Sequence, residues 1–123
     1  MNVDELWQKA IAEHNNGEYL EAHELFEDIW LELDERKEKD TVQTLAQADA
    51  LAFHLQTGNT RAAQRLMRQL PELLQTFPEH YRNINLKEMK NWINYIISMI
   101  PPFGEIKDIS KKEPPKLYKL ANC

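Results

Sequence analysis

Tyr19-Leu20-Glu21-Ala22-His23-Glu24-Leu25-Phe26-Glu27-Asp28-Ile29-Trp30-Leu31-Glu32-Leu33 decides the fold class. Tyr19, Ala22, His23, Phe26, Ile29, Trp30 and Leu33 recur at three- and four-residue spacing, which a helix of 3.6 residues per turn gathers onto one face. Glu18, Glu21 and Glu24 fall outside that stripe and read as solvated helix surface. A helix with so apolar a face has to bury it against a neighbour. The turn residues before it, Asn15-Asn16-Gly17, tolerate left-handed backbone and send the chain back on itself. The segment they reverse opens with a capping-box pair, Asn2 and Glu5, and carries Val3, Leu6, Trp7, Ala10 and Ile11 at helical spacing. It is predicted helical to about His14, packed antiparallel on the quoted stretch.

Beyond Leu33 the run Asp34-Glu35-Arg36-Lys37-Glu38-Lys39-Asp40 has no apolar period and reads as an exposed connection, with Asp40 or Thr41 as the cap of the next helix. That third helix is predicted from about Val42 to Gln56. It is nearly apolar all round, with Leu45, Ala46, Ala48, Ala50, Leu51, Ala52, Phe53 and Leu55, as suits the central helix of a bundle; Asp49 is the exception in it. Gly58 closes this helix and Asn59 caps a fourth, with Ala62, Ala63, Leu66, Met67 and Leu70 on its face. Pro71 forces a kink or a restart, and Pro78 interrupts again. Asn85 with Glu88 repeats the capping-box signal ahead of Leu86, Met89, Trp92, Ile93, Ile96, Ile97 and Ile100, and Pro101-Pro102 stops this fifth helix. The reading is therefore an all-α bundle of about five helices arranged as antiparallel hairpins. Residues 1–102 form the bundle domain, and residues 103–123 an extended C-terminal tail.

The chain of 123 residues carries a formal net charge of −5, concentrated in its acidic first third, whereas Lys107, Lys111, Lys112, Lys116 and Lys119 reverse the sign near the end. The acidic part repels phosphate backbones, so a nucleic-acid partner is not expected, and the lysine-rich tail reads as solvated or docked on the acidic half. No apolar run approaches the roughly 20 residues of a membrane span, and the first residues lack the pattern of a signal peptide, so a cytoplasmic location without membrane contact is expected. Cys123 is the one cysteine, which leaves no internal disulfide and no cysteine-rich zinc site.

His14-x-x-Gly17-x-x-x-x-Ala22 is echoed by His54-x-x-x-Gly58-x-x-x-x-Ala63, each at the bend of a predicted hairpin. The segment Gly17-Glu18-Tyr19-Leu20-Glu21-Ala22-His23-Glu24-Leu25-Phe26-Glu27-Asp28-Ile29-Trp30 resembles the signature of domain-of-unknown-function family 309 of bacteria and archaea. A second block, with Gln47, Ala48, Ala50, His54, Leu55, Gly58, Asn59 and Ala63, is similar to that family's second block. Together the blocks cover roughly residues 14 to 70. Asp49 and Phe53 depart from the usual pattern, where the family has another apolar residue or a paired histidine. The resemblance implies an all-α helical bundle and brings no established activity with it.

The residues that could carry chemistry sit in these blocks. His23 and Glu27 are one turn apart, and His54 and Gln47 share a stripe that faces them if the second and third helices pack together. His23, Glu27, Trp30, Gln47 and His54 are thus the candidate pocket. One reading makes His23, Glu27 and His54 a nitrogen–oxygen site for a divalent metal or an acid/base pair; the other makes them a core polar cluster that fixes helix register. Neither the zinc-protease helix motif nor the glutamate–histidine spacing of di-iron bundles is present, and no phosphate loop or nucleophile elbow occurs. Trp7 and Trp30 are expected as core anchors. The leading functional expectation is a non-enzymatic protein-interaction or assembly module, binding a protein partner or a second copy; the small residues Ala46, Ala48, Ala50 and Ala52 permit close helix contact, within the fold or across a homodimer. No cofactor is implied apart from the metal candidate. The alternative is a metal-dependent or acid/base hydrolase using His23, Glu27 and His54.

Overall fold

The computed structural model describes residues 2–101 and 113–120. Six helices and one short hairpin succeed one another in chain order: α1 (Val3–Asn15), α2 (Tyr19–Glu32), α3 (Arg36–Thr57), α4 (Thr60–Leu66), α5 (Leu70–Leu74), β1 (His80–Tyr81), β2 (Ile84–Asn85) and α6 (Lys87–Met99). The all-α bundle of helical hairpins stands, with one helix more than the expected five and a β-hairpin that periodicity did not announce.

Caps behave as the residues dictate. The Asn2 side chain accepts from the Glu5 amide at 2.9 Å, and Asn59 from the Ala62 amide at 3.2 Å. Gly58 ends α3 at φ +74°, where a side chain would be strained. Pro71 sits in the first turn of α5, so the break there is a restart rather than a kink. Ile100 leaves α6 in extended conformation ahead of Pro101.

Two boundaries differ from expectation. The charged run belongs to α3, which begins at Arg36 rather than near Val42: Glu35 caps it by accepting from the Glu38 amide at 2.7 Å. Arg, Lys and Glu are good helix formers even where nothing needs burying, so periodicity alone misplaced this start. At α6 the helix begins one residue after Leu86, and the Asn85 side chain accepts from Lys87 instead of closing a box with Glu88. The reason is that Asn85 is already held in β2, opposite His80. The hairpin turns at Arg82 and Asn83, both at positive φ (45° and 66°), which matches the right-handed twist of its strands.

Helix α3 lies at the centre, as its composition predicted. It packs on α2 along one side and on α4 and α5 along the other. Ala46, Ala48, Ala50 and Ala52 are all buried, so their small size serves close helix contact inside the fold. One continuous core joins Trp7, Phe26, Ile29, Leu45, Leu51, Leu70, Leu86, Ile93 and Ile96. Trp7 is the aromatic anchor it was expected to be, edge-on to both Phe26 and Tyr81 at centroid distances of 5.8 and 5.3 Å.

The described part of the tail, residues 113–120, is extended as expected, but it is seated on the bundle. Leu117 is buried in the same core, and Lys119 bridges antiparallel to Ile84 at the edge of β2. Lys116 and Lys119 ride on this docked segment with their side chains exposed. The rest of the predicted tail, together with Met1 and Pro102, lies outside the described residues.

Candidate functional site

Helical phase puts His23 on the side of α2 that meets α3. Its Nδ1–H donates to the Ala46 carbonyl at 2.7 Å, since a carbonyl can only accept. Its Nε2 stands 2.8 Å from Glu27 Oε1, one turn along the same helix, within hydrogen-bond reach. The imidazole points inward, as the sequence predicted, and both of its nitrogens are engaged. Glu27 reaches it from the rim, where its side chain is 60% exposed.

Above this pair opens a cleft of about 230 Å³, walled by Trp30, Leu31, Gln43, Ala46 and Gln47. Trp30 corrects the expectation of a buried core anchor. It is half-buried, one wall of the cleft, with the Lys39 ammonium 3.7 Å from its ring centroid and donating to the Trp30 carbonyl at 2.7 Å. Its indole Nε1–H is buried with no protein acceptor. Gln47 lines the cleft, yet its amide donates to Gln69 at 2.8 Å and not to the histidine.

His54 stands further along α3, half-buried, with its ring against Phe53 and its Nδ1 without a protein partner. Burial pushes this imidazole below its ordinary value, and the nearby charges of His23 and Arg65 push it the same way. Its protonation is thus disfavoured beside the His23–Glu27 pair. The three side chains anticipated as metal ligands do not converge as a set: among the described residues no three His, Cys, Asp or Glu side chains are grouped so as to hold a metal ion. The structure brings together His23, Glu27, Trp30 and Gln47 around one cleft, and His54 is not part of its lining.

A second polar cluster escaped the sequence reading. Asp49, the misfit of α3, is 1% exposed and takes a 2.6 Å hydrogen bond from Nδ1 of His14, equally buried at the end of α1. Nε2–H of the same ring donates to the Pro115 carbonyl of the C-terminal segment at 2.8 Å. Burial alone would lower the His14 pKa, but the hydrogen bond and charge of Asp49, aided by the Pro115 carbonyl, raise it. Burial pushes the Asp49 carboxyl up against the pull of His14. The ring of Tyr19 lies edge-on to His14 at 5.5 Å, and burial, with Glu113 and Asp49, pushes its hydroxyl up to about 12. The available signal was Asp49 itself: a carboxylate in an alanine-rich buried helix demands a cationic partner, and His14 sits at the hairpin bend.

Helical hairpins packed around a buried α3, with His14 of α1 and His23 of α2 each bonded to it, define a small helical-hairpin domain. Residues 7–66, just under half of the chain, match the model of the family described as a domain of unknown function (DUF309). The match spans both blocks whose resemblance pointed to that family. An uncharacterized protein of Aquifex aeolicus (strain VF5) is 27% identical over 94 residues, which cover 76% of this chain and 28% of that relative. The chain thus spans well under a third of the relative's length. No solved structure matches.

Proposed function

We propose that the chain is a non-enzymatic interaction module working in the cytoplasm, and that its working face is the cleft over His23 and Glu27. The observation that carries this reading is the double engagement of His23. With Nδ1 held by Ala46 and Nε2 by Glu27, the ring has no free lone pair to serve as a general base, which disfavours the hydrolase alternative on His23, Glu27 and His54. The pair instead pins α2 to α3 and sets the shape of the cleft. Leu31 stands 69% exposed at its rim, and α2 presents Glu18, Glu21, Glu24, Glu27, Asp28 and Glu32 to solvent. Apolar rim and acidic surround together fit a protein partner that offers one apolar side chain among basic residues. The relative supports a modular role, because there the matched region is joined to a much longer chain. The buried alanines of α3 offer nothing to a second copy, so a heterologous partner is the better fit than a homo-oligomer built on them.

The test places a photo-crosslinking residue at position 31 and, as control, at position 88, identifies the captured protein, and measures its affinity in purified form. Leu31→Asp and Glu27→Lys should each weaken binding at least about 10-fold, with affinity falling as salt rises. Equal capture from both positions, or a purified partner indifferent to both substitutions, would refute the reading.

A further inference from the structure

We infer that the groove between the end of α1 and the edge of β2 is a recognition site for an extended Pro-Pro-x-Leu peptide, occupied in this structure by the chain's own residues 113–120.

The seated segment is held through its main chain. Nε2–H of His14 donates to the Pro115 carbonyl at 2.8 Å. The Asn15 side chain donates to the Leu117 carbonyl at 2.9 Å and accepts from the Leu117 amide at 2.7 Å, a two-point clamp on one residue's backbone. The amide of Asn85 donates to the Tyr118 carbonyl, and that of Leu120 to the Asn83 carbonyl, each at 2.9 Å. This is strand addition to an open sheet edge, in which backbone bonds give affinity and alternate side-chain pockets give selectivity. Selectivity here falls on Leu117, 2% exposed, while its neighbours Lys116 and Tyr118 point outward. Pro114 is buried as well. Two prolines suit the site, since the groove asks for no amide hydrogen at either position and proline holds the chain extended before it binds.

The groove is built rather than incidental. Its His14 is fixed by the buried Asp49 behind it, so the Nε2 edge of the ring is aimed at the groove. Orientation of a histidine by a buried carboxylate is the arrangement by which proteins aim the opposite ring nitrogen at a ligand. A segment tethered to the same chain competes at an effective concentration of roughly millimolar, so a free peptide gains the groove once the tethered copy is weakened.

The experiment tracks binding of a fluorescein-labelled peptide of residues 113–120 by anisotropy. The full-length chain carrying Leu117→Asp vacates the groove and should bind the peptide at least about 10-fold more tightly than the wild-type chain does. The same substitution in the peptide should abolish binding, and Asn15→Ala added to the chain should weaken it by a similar factor. A folded Leu117→Asp chain that binds no better than wild type, or that binds the Asp-substituted peptide equally well, overturns the inference. Should circular dichroism find that variant unfolded, the wild-type chain with a protease sequence inserted between residues 104 and 108 replaces it. After cleavage the labelled peptide should exchange into the groove; a cleaved chain that takes up none overturns the inference equally.

Discussion

Replacing His14 and Asp49 singly and together measures what this buried pair contributes. His14→Phe removes the cation and leaves Asp49 at 1% exposure with neither oxygen bonded, because Oδ2 has no partner even in the intact protein. Breaking one side of a buried pair in this way costs about 3–5 kcal/mol. Asp49→Leu is milder, since the imidazole can shed its charge and keep the bond to Pro115; the loss is the charge-assisted hydrogen bond, about 1.5–3 kcal/mol. The double variant has no orphaned charge and gains apolar contact, so it should lie within about 2 kcal/mol of wild type, the residual being the donor lost to the Pro115 carbonyl. Coupling between the two sites should therefore exceed about 2 kcal/mol, far above the few tenths expected of independent sites. Urea unfolding monitored by tryptophan fluorescence gives all four stabilities. Simple addition of the two single losses would refute the pairing.

The same geometry sets other outcomes. A raised His14 value means that its stabilisation is complete below the unfolded imidazole's pKa of about 6.5 and is lost as pH climbs through the raised folded value; Asp49, the Pro115 carbonyl and the Tyr19 ring are the groups against it. Urea midpoints should thus fall from neutral into alkaline pH in the wild type and stay flat there in the His14→Phe/Asp49→Leu double variant. Trp7→Ala should cost about 3–5 kcal/mol, whereas Trp30→Ala, half-buried, should cost clearly less; equal losses by thermal denaturation would contradict the placement of Trp30 on a cleft wall. Gly58→Ala should destabilise by about 1 kcal/mol through backbone strain alone, because an added Cβ at φ +74° meets nothing within 4 Å. Ala48→Leu should overpack the core around α3, cost about 1–3 kcal/mol, and leave the sedimentation coefficient of the folded protein unchanged.

Helix α2 was legible because one requirement, burying Phe26, Ile29 and Tyr19, dictates both its period and its orientation, and the inward His23 came with it. The start of α3 was not, since Arg36 to Asp40 bury nothing and the helix there rests on propensity and the Glu35 cap. Strands of two residues, His80–Tyr81 and Ile84–Asn85, are too short to show alternation; only Asn83 carried a turn signal. At the candidate site, spacing along one helix gave His23 with Glu27. It could not give Ala46 as the partner of Nδ1, because backbone acceptors leave no trace in side-chain pattern. Lys39 over Trp30 was hidden by the misplaced start of α3.

Asp49 shows where such a reading has more in it than periodicity extracts. Its surroundings, Ala46, Ala48, Ala50 and Leu51, demand an apolar side chain, and a carboxylate in their midst is tolerable only with a buried counter-charge. The chain has four histidines, and one of them, His14, ends the helix that the first hairpin folds against α2. Pairing the misfit with that histidine fixes how α1 lies on α3 before any coordinate is known. It also leaves the far ring nitrogen facing outward in need of an acceptor, which the carbonyl of Pro115 supplies. A polar residue that breaks the pattern of a buried helix thus specifies a long-range contact, and here that contact reaches from the first helix through the third to the far end of the chain.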